Sequence, residues 1–439
     1  MTTFLLYALG VVLFVVGLAV SVGLHELGHM IPAKRFGVKV TQYFVGFGRT
    51  LWSTKRGETE YGVKALPLGG YVKLVGMLPP DKNGDPTLLR ETNTGLFTQL
   101  ISDARSAELQ HIEPGDENRL FYRLPWWKKV IVMAGGPSVN IAIAFFIFWG
   151  VFATYGKEYV EYEPVVDNIS ACIVPAADTG RVCTPDDPVA PAYAAGIRNG
   201  DLIKSFNGTA ITSWDQLSQL IRGNGQGEAV VGIVRDGEQL TITTETVVAR
   251  RPVSVDDDSL VRVGFLGVAP TRHVLTETGG PLFTLREMGG MTKDTAVALA
   301  HMPAKVWDAA QAIVGIEERD PNGPISIVGG GRIAGETVAH DEFTVQEKIV
   351  FFLLLLAGFN FFVGMFNFIP VLPLDGGHIA GALYEAGRRG VAKVRRRPDP
   401  GFVDVAKLLP VAYAGAAVLL TMSLVLIVAD LVVPLHLPS

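Results

Sequence analysis

His25 and His29, with Glu26 beside the first of them, form an HExxH sequence near the start of a 439-residue chain. On a helix, positions i and i+4 share a face, so the two imidazoles can grip one metal ion while Glu26 reaches a water bound to it. The chemistry of that spacing is metal-assisted hydrolysis, with the glutamate as general base. The chain holds only 8 histidines, and a chance HExxH should arise in about one such chain per hundred, so the motif draws its weight from its setting.

That setting is apolar. The run that begins at Phe4 continues through Met30, Ile31 and Ala33, and the first positive charges are Lys34 and Arg35. With those two at headgroup level, His29 lies roughly 8 Å below it at 1.5 Å per residue. Two histidines and a carboxylate at such depth are costly unless they face a protein interior and carry a function. A cleaved signal peptide fits poorly: Ala19-Val20-Ser21 has small-residue spacing, but Met1-Thr2-Thr3 offers no Lys or Arg.

Composition agrees with a partly lipid-embedded chain. Charged residues make up 18%, below the roughly 25% of soluble proteins, and apolar residues gather in four clusters at about 4–33, 130–153, 346–372 and 408–435. Basic residues follow the first cluster (Lys34, Arg35, Lys39), precede the second (Lys128, Lys129) and separate the third from the fourth (Arg388 to Arg397). The positive-inside rule then places these flanks in the cytoplasm, and both termini and the long 154–345 segment outside an inner (plasma) membrane. The formal charge of −5 gives no reason to expect a nucleic-acid partner. Cys172 and Cys183 both fall in the outside segment, where a disulfide closing a small loop is expected.

The expected order along the chain is a first spanning helix with the HExxH (1–36), then a membrane-associated β-sheet on the cytoplasmic side (37–78). Its strands are Val38–Val40, Tyr43–Val45, Tyr61–Leu66 and Tyr71–Leu74, with a turn at Gly46-Phe47-Gly48. An unpaired edge near Gly70, Tyr71 and Val72 can hold an extended substrate by strand addition; a purely structural sheet on the bilayer surface is the equal alternative. A polar cytoplasmic loop (79–126) leads to a second span (127–153), in which Ala134 to Ser138 are small enough for close helix approach and Asn140 needs a polar partner.

Residues 158–252 read as an extracytoplasmic α+β module. Ser213 caps an amphipathic helix bearing Trp214, Leu217, Leu220 and Ile221, and Asn207-Gly208 and Asp236-Gly237 mark tight turns. The order of elements resembles a PDZ domain, which binds peptides by strand addition. A helical connector is expected over 253–345. A third span (346–387) runs into Pro370 and Pro373, where broken helix at membrane depth is tolerated only if buried or lining a cavity. A basic loop (388–405) and a fourth span (406–435) close the chain.

Asp375, set back from the basic run that begins at Arg388, comes at a depth comparable to the two histidines and is the natural third ligand. Two nitrogens and one carboxylate suit zinc (Zn2+) and leave it a fourth position, although iron or cobalt can take the same set. His378 is a competing ligand or a supporting residue. Asn140, Asn360 and Asn367 are candidates for holding a substrate backbone or for hydrogen bonds between helices.

Together these residues resemble the site-2 protease family of intramembrane zinc proteases, particularly the bacterial group that cleaves anti-sigma factors. The resemblance rests on His25-Glu26-Leu27-Gly28-His29, Gly46-Phe47-Gly48, Ala65 to Lys73, Gly323 to Ile327, and Asn367-x-x-Pro370 followed by Leu374-Asp375-Gly376-Gly377. It implies zinc on His25, His29 and Asp375, Glu26 as catalytic base, substrate contact at Gly69, Gly70 and Tyr71, and single-span substrates trimmed first by another protease. One PDZ-like unit, where the best-known enterobacterial member has a tandem pair, looks more like the actinobacterial members. The alternative function is a non-catalytic membrane adaptor whose PDZ unit captures peptides.

Overall fold

The structure, a computed structural model, describes residues 2–79, 112–175, 181–254 and 257–436. Most of the 79–126 loop expected from the sequence lies outside the described residues. The chain divides into two compact units, Met1–Tyr155 with Gly279–Ser439, and Gly156–Thr278.

The first unit opens with α1 (Thr2–Arg35), β1 (Val40–Arg56), β2 (Thr59–Leu74) and α2 (Trp126–Thr154). The second holds β3 (Lys157–Ile169), a short α3 (Pro191–Ala194), β4 (Leu202–Phe206), β5 (Thr209–Ala210), α4 (Trp214–Asn224), β6 (Gly227–Arg235), β7 (Glu238–Ser254), β8 (Asp257–Phe265) and β9 (Val268–Glu277). The first then resumes with α5 (Pro281–Ile313), α6 (Ile327–Ala339), α7 (Val345–Asn367), α8 (Asp375–Val394) and α9 (Leu409–Val432). Among the described residues, α1, α2, α7 and α9 with its 3-10 lead-in are long and apolar enough to cross a membrane.

Glycine sets how closely the spans approach. A Cβ on Gly28 of α1 would strike the Gly135 carbonyl of α2, and one on Gly135 would strike the Gly28 carbonyl, so the two backbones touch directly. The glycines of α6 do the same on the other side of α1, where Gly330 and Gly335 lie under the rings of Phe14 and Tyr7. A capping box of Thr344 and Glu347 starts α7. It packs on α2 where Gly364 makes room for Ile141.

β1 and β2 form a ribbon folded back on itself. The turn lies at Gly57, and Gly46-Phe47-Gly48, expected to be a turn, bends β1 without ending it, with φ of +93° at Gly46 and +83° at Gly48. The bend brings Val45 opposite both Val63 and Gly70, and Phe44 opposite both Gly62 and Tyr71. Residues 70–74 therefore pair on one side only among the described residues, which leaves an edge. Val38, Val40 and Leu74 bury against Met30 and Ala33 of α1 and Val132 and Met133 of α2, which seats the ribbon at one end of the helices.

The second unit is a sheet of order β8-β7-β6-β4-β3-β9, with β5 beside β4. Its core of Ile203, Phe206, Leu217, Ile221, Val231 and Ile233 is the inward face of alternating strands plus one face of α4. Ser213 caps α4 through the Gln216 N–H. Asn207-Gly208 and Asp236-Gly237 take left-handed φ in the two hairpin turns. The helical connector expected over 253–345 is corrected at its start: 257–277 forms β8 and β9, whose β-branched residues complete the sheet, and helix begins at Pro281. A disulfide joins Cys172 to Cys183.

Asp201 is the buried charge of this unit, accepting from Arg235 Nε at 2.7 Å and from the Arg198 N–H at 2.7 Å. Burial favours its protonated form, but the Arg235 guanidinium and the Arg198 N–H outweigh that and hold its carboxyl below the ordinary range. A depressed folded pKa gives stability that is present above the unfolded value of about 3.9 and lost as pH falls through the folded one. Asp201→Asn should therefore cost about 1.5–3 kcal/mol at neutral pH and much less in acid. Hydrogen exchange of strands β4 and β6 in the intact protein at the two pH values reads this difference.

Candidate metal centre

His25, Glu26 and His29 sit in the last third of α1, which delivers both imidazoles to one face. The third group arrives from more than three hundred residues away. α7 ends at Asn367, Pro370 and Pro373 keep 368–374 out of helix, and α8 restarts at Asp375. Gly376 and Gly377 allow this reversal, because a Cβ at either would collide with the backbone of Phe368 to Leu372. The carboxylate of Asp375 is thereby placed at the start of a helix, facing the two histidines.

His25 Nε2 and His29 Nε2 are 3.2 Å apart, and Asp375 Oδ2 lies 3.4 Å from the first and 3.3 Å from the second. Metal bonds of about 2.0–2.1 Å in a tetrahedron would set ligand atoms about 3.3–3.4 Å apart, so this triangle fits one face of a zinc site. Among the described residues it is the one group of three or more His, Cys, Asp or Glu residues with that proximity. His29 Nδ1 is 2.8 Å from the Val132 carbonyl of α2. Nδ1 must carry the proton of that hydrogen bond, which leaves the Nε2 lone pair free for a metal.

Two glycines complete the fit. A Cβ on Gly136 of α2 would overlap His29 Nε2 and stand 2.8 Å from His25 Cε1, so only glycine admits the imidazole pair here. A Cβ on Gly70 would come within 2.9 Å of Val22 and 3.1 Å of the Glu26 Cγ, so the strand edge runs directly against the first turn of the motif. Tyr43 fastens the ribbon to α1 by donating to the Gly23 carbonyl at 2.7 Å, and Val72 lines the same cavity as Glu26.

These groups line a cavity of about 420 Å³. Glu26, Gly69, Gly70, Tyr71, Asn140 and Asn367 all face it together with the three ligand candidates. His378 also lines it but stands outside the ligand triangle, in keeping with a supporting place. Asn360 is placed elsewhere. Its amide donates to Ser21 Oγ at 2.9 Å and to the Leu356 carbonyl at 2.8 Å, joining α7 to α1, so the helix–helix alternative holds for this asparagine. Sequence reasoning missed the Val132 carbonyl and the part played by Gly136. The paired glycines were visible, but a backbone carbonyl carries no residue signature.

The model of peptidase family M50 matches residues 13–398, most of the chain and both halves of the centre. The chain belongs to peptidase family M50, the site-2 protease family. The zinc metalloprotease Rip1 of Mycobacterium tuberculosis is 33% identical over 446 residues, covering 99% of this chain and 100% of that protein. The Rip1 of Mycolicibacterium smegmatis is 33% identical over 441 residues, with 98% and 99% covered. A putative zinc metalloprotease of Mesorhizobium japonicum is 27% identical over 394 residues, with 88% and 89% covered.

Within this M50 peptidase, Gly136 gives a test of the centre that spares every candidate ligand. Gly136→Ala should push the imidazoles apart and weaken metal binding by roughly 10–100-fold, the range found when supporting groups of metal sites are altered. Metal content of the purified protein, titrated against a chelator, measures the shift.

Proposed function

We propose that the protein is an intramembrane zinc endopeptidase that hydrolyses a peptide bond within or near the transmembrane segment of single-span membrane proteins. The observation that carries this reading is the triangle of His25, His29 and Asp375, built from two spanning segments and lying beside Glu26 and an open strand edge. His25, His29 and Asp375 are the residues that would hold the metal. Bound zinc supplies Lewis acidity, which makes a water easier to deprotonate and a carbonyl easier to attack.

The chain's own groups do the rest. Glu26 accepts a proton from the attacking water, whose oxygen adds to the scissile carbonyl carbon, and returns that proton to the amide nitrogen as the C–N bond breaks. Gly69, Gly70 and Tyr71 hold the substrate backbone by strand addition, which keeps the bond extended in front of Glu26. Asn140 and Asn367 present side-chain amides to the same cavity and bind the substrate's carbonyls.

Anti-sigma factors are the proposed substrates. The basic flanks support a centre towards the cytoplasm of the inner membrane, with both termini and the 156–278 unit outside. That unit is taken as PDZ-like: its edge strand β8 lies against α4, the arrangement in which a peptide can add as a further strand.

Purified protein with a model single-span substrate tests the reading. Glu26→Gln should keep its metal and lose at least about 10²-fold in cleavage, the range for a general base. Asp375→Ala should lose both. Unchanged cleavage by Glu26→Gln would overturn this reading of the site, and a folded wild type with neither metal nor cleavage would leave the adaptor as the function.

A further inference from the structure

α8 carries Asp375 at one end and an uncovered side at the other. At 100° per residue, Leu383, Tyr384, Val391 and Val394 fall within an arc of about 100°. They are 51%, 63%, 52% and 85% exposed. On the opposite side Ala382 and Glu385 are buried, and Glu385 is paired at 2.8 Å with Lys129 in the first turns of α2. The apolar stripe therefore points away from the protein.

Its flanks are basic. From Arg388 to Arg397 the chain holds Arg388, Arg389, Lys393, Arg395, Arg396 and Arg397 and no acid. Arg389 is engaged by Glu385 and Asp399, and Arg388 donates to the Pro400 carbonyl. Lys393 and Arg395 to Arg397 are exposed and pair with no carboxylate among the described residues.

We propose that the C-terminal half of α8 lies in the headgroup layer of the bilayer, its stripe in lipid and Lys393, Arg395, Arg396 and Arg397 on acidic phospholipid headgroups. Continuity with the spans supports this occupant. Lys129 follows Trp126 and Trp127 at the start of α2, and tryptophan favours the membrane interface, so α8 has reached that level by its middle. From there a helix with an apolar face and a basic border is the kind that rests in the interface plane. The uncompensated cations favour acidic over neutral lipid, because each Lys or Arg near an anionic surface adds attraction. The helix that presents Asp375 would then be held at its far end by lipid charge.

The test is a depth measurement on the full chain. The two cysteines of the sequence are joined to each other, so Val394→Cys offers a single thiol for a polarity-sensitive fluorophore. The labelled protein is reconstituted in vesicles of phosphatidylcholine alone, or of phosphatidylcholine with phosphatidylglycerol, with brominated acyl chains as quenchers. Quenching should be at least about fivefold stronger in the acidic vesicles and fall in high salt. Changing Lys393, Arg395, Arg396 and Arg397 together to Gln should abolish the difference. Water-like emission in both vesicles, equal quenching in both, or a difference that survives the Gln changes would each overturn the proposal. A Val391→Cys label should give the same pattern, which removes any effect peculiar to position 394. Since no readout involves cleavage, failure here leaves the peptidase reading untouched, and failure of that reading leaves this one.

Discussion

The contact between Gly28 and Gly135 is the constraint on which the centre depends. It draws the backbones of α1 and α2 together until side chains of any size would separate them. At that separation the Val132 carbonyl reaches His29 Nδ1 and Gly136 lies over both imidazoles. A wider spacing would leave His29 without its acceptor and free to rotate. The tautomer and direction of a candidate ligand are thus set by helix packing one turn away, as a supporting carboxylate or carbonyl sets them in metal sites.

Polar groups hold the remaining elements in register around that contact. Lys129 and Glu385 join α2 to α8 beyond the centre, and Arg319 pairs with Asp430, which also accepts from the Ser326 N–H, to fasten α9 to the start of α6. Buried pairs of this kind add little net stability, since desolvation offsets much of their attraction. Each does forbid most alternative alignments, because sliding one helix would strand a charge away from water.

The spans, the two hairpin turns of the second unit, the Ser213 cap and the meeting of His25, His29 and Asp375 were legible because each has a simple cause: apolar length, left-handed turn residues, an N-cap, and His and Asp at a common depth. What escaped had causes in long-range packing. The bend at Gly46 and Gly48 looked like a turn, yet its purpose is to place residues 40–45 between two segments of β2, a pairing that local composition does not specify. β8 and β9 were read as helical connector although β8 only extends the hairpin begun by β7, and the partner of β9 is β3, about a hundred residues earlier in the chain. Asn360 and Asn140 are both buried asparagines in spanning helices, and only the neighbours, Ser21 in one case and the cavity in the other, separate a helix tie from a cavity-lining group.

The folded ribbon also bears on how a substrate could be cut at such depth. A helix hides its carbonyls in internal hydrogen bonds, and in lipid each freed group costs several kcal/mol unless another partner takes it. On the proposed function, the edge at residues 70–74, with Gly70 against Val22 and Glu26, would offer a row of backbone partners where the bond is to be exposed. Unwinding then exchanges one set of hydrogen bonds for another rather than forfeiting them. A larger residue at position 70 would move that edge away from Glu26, so on the proposed function the requirement for glycine there and the need for an extended substrate would have one origin.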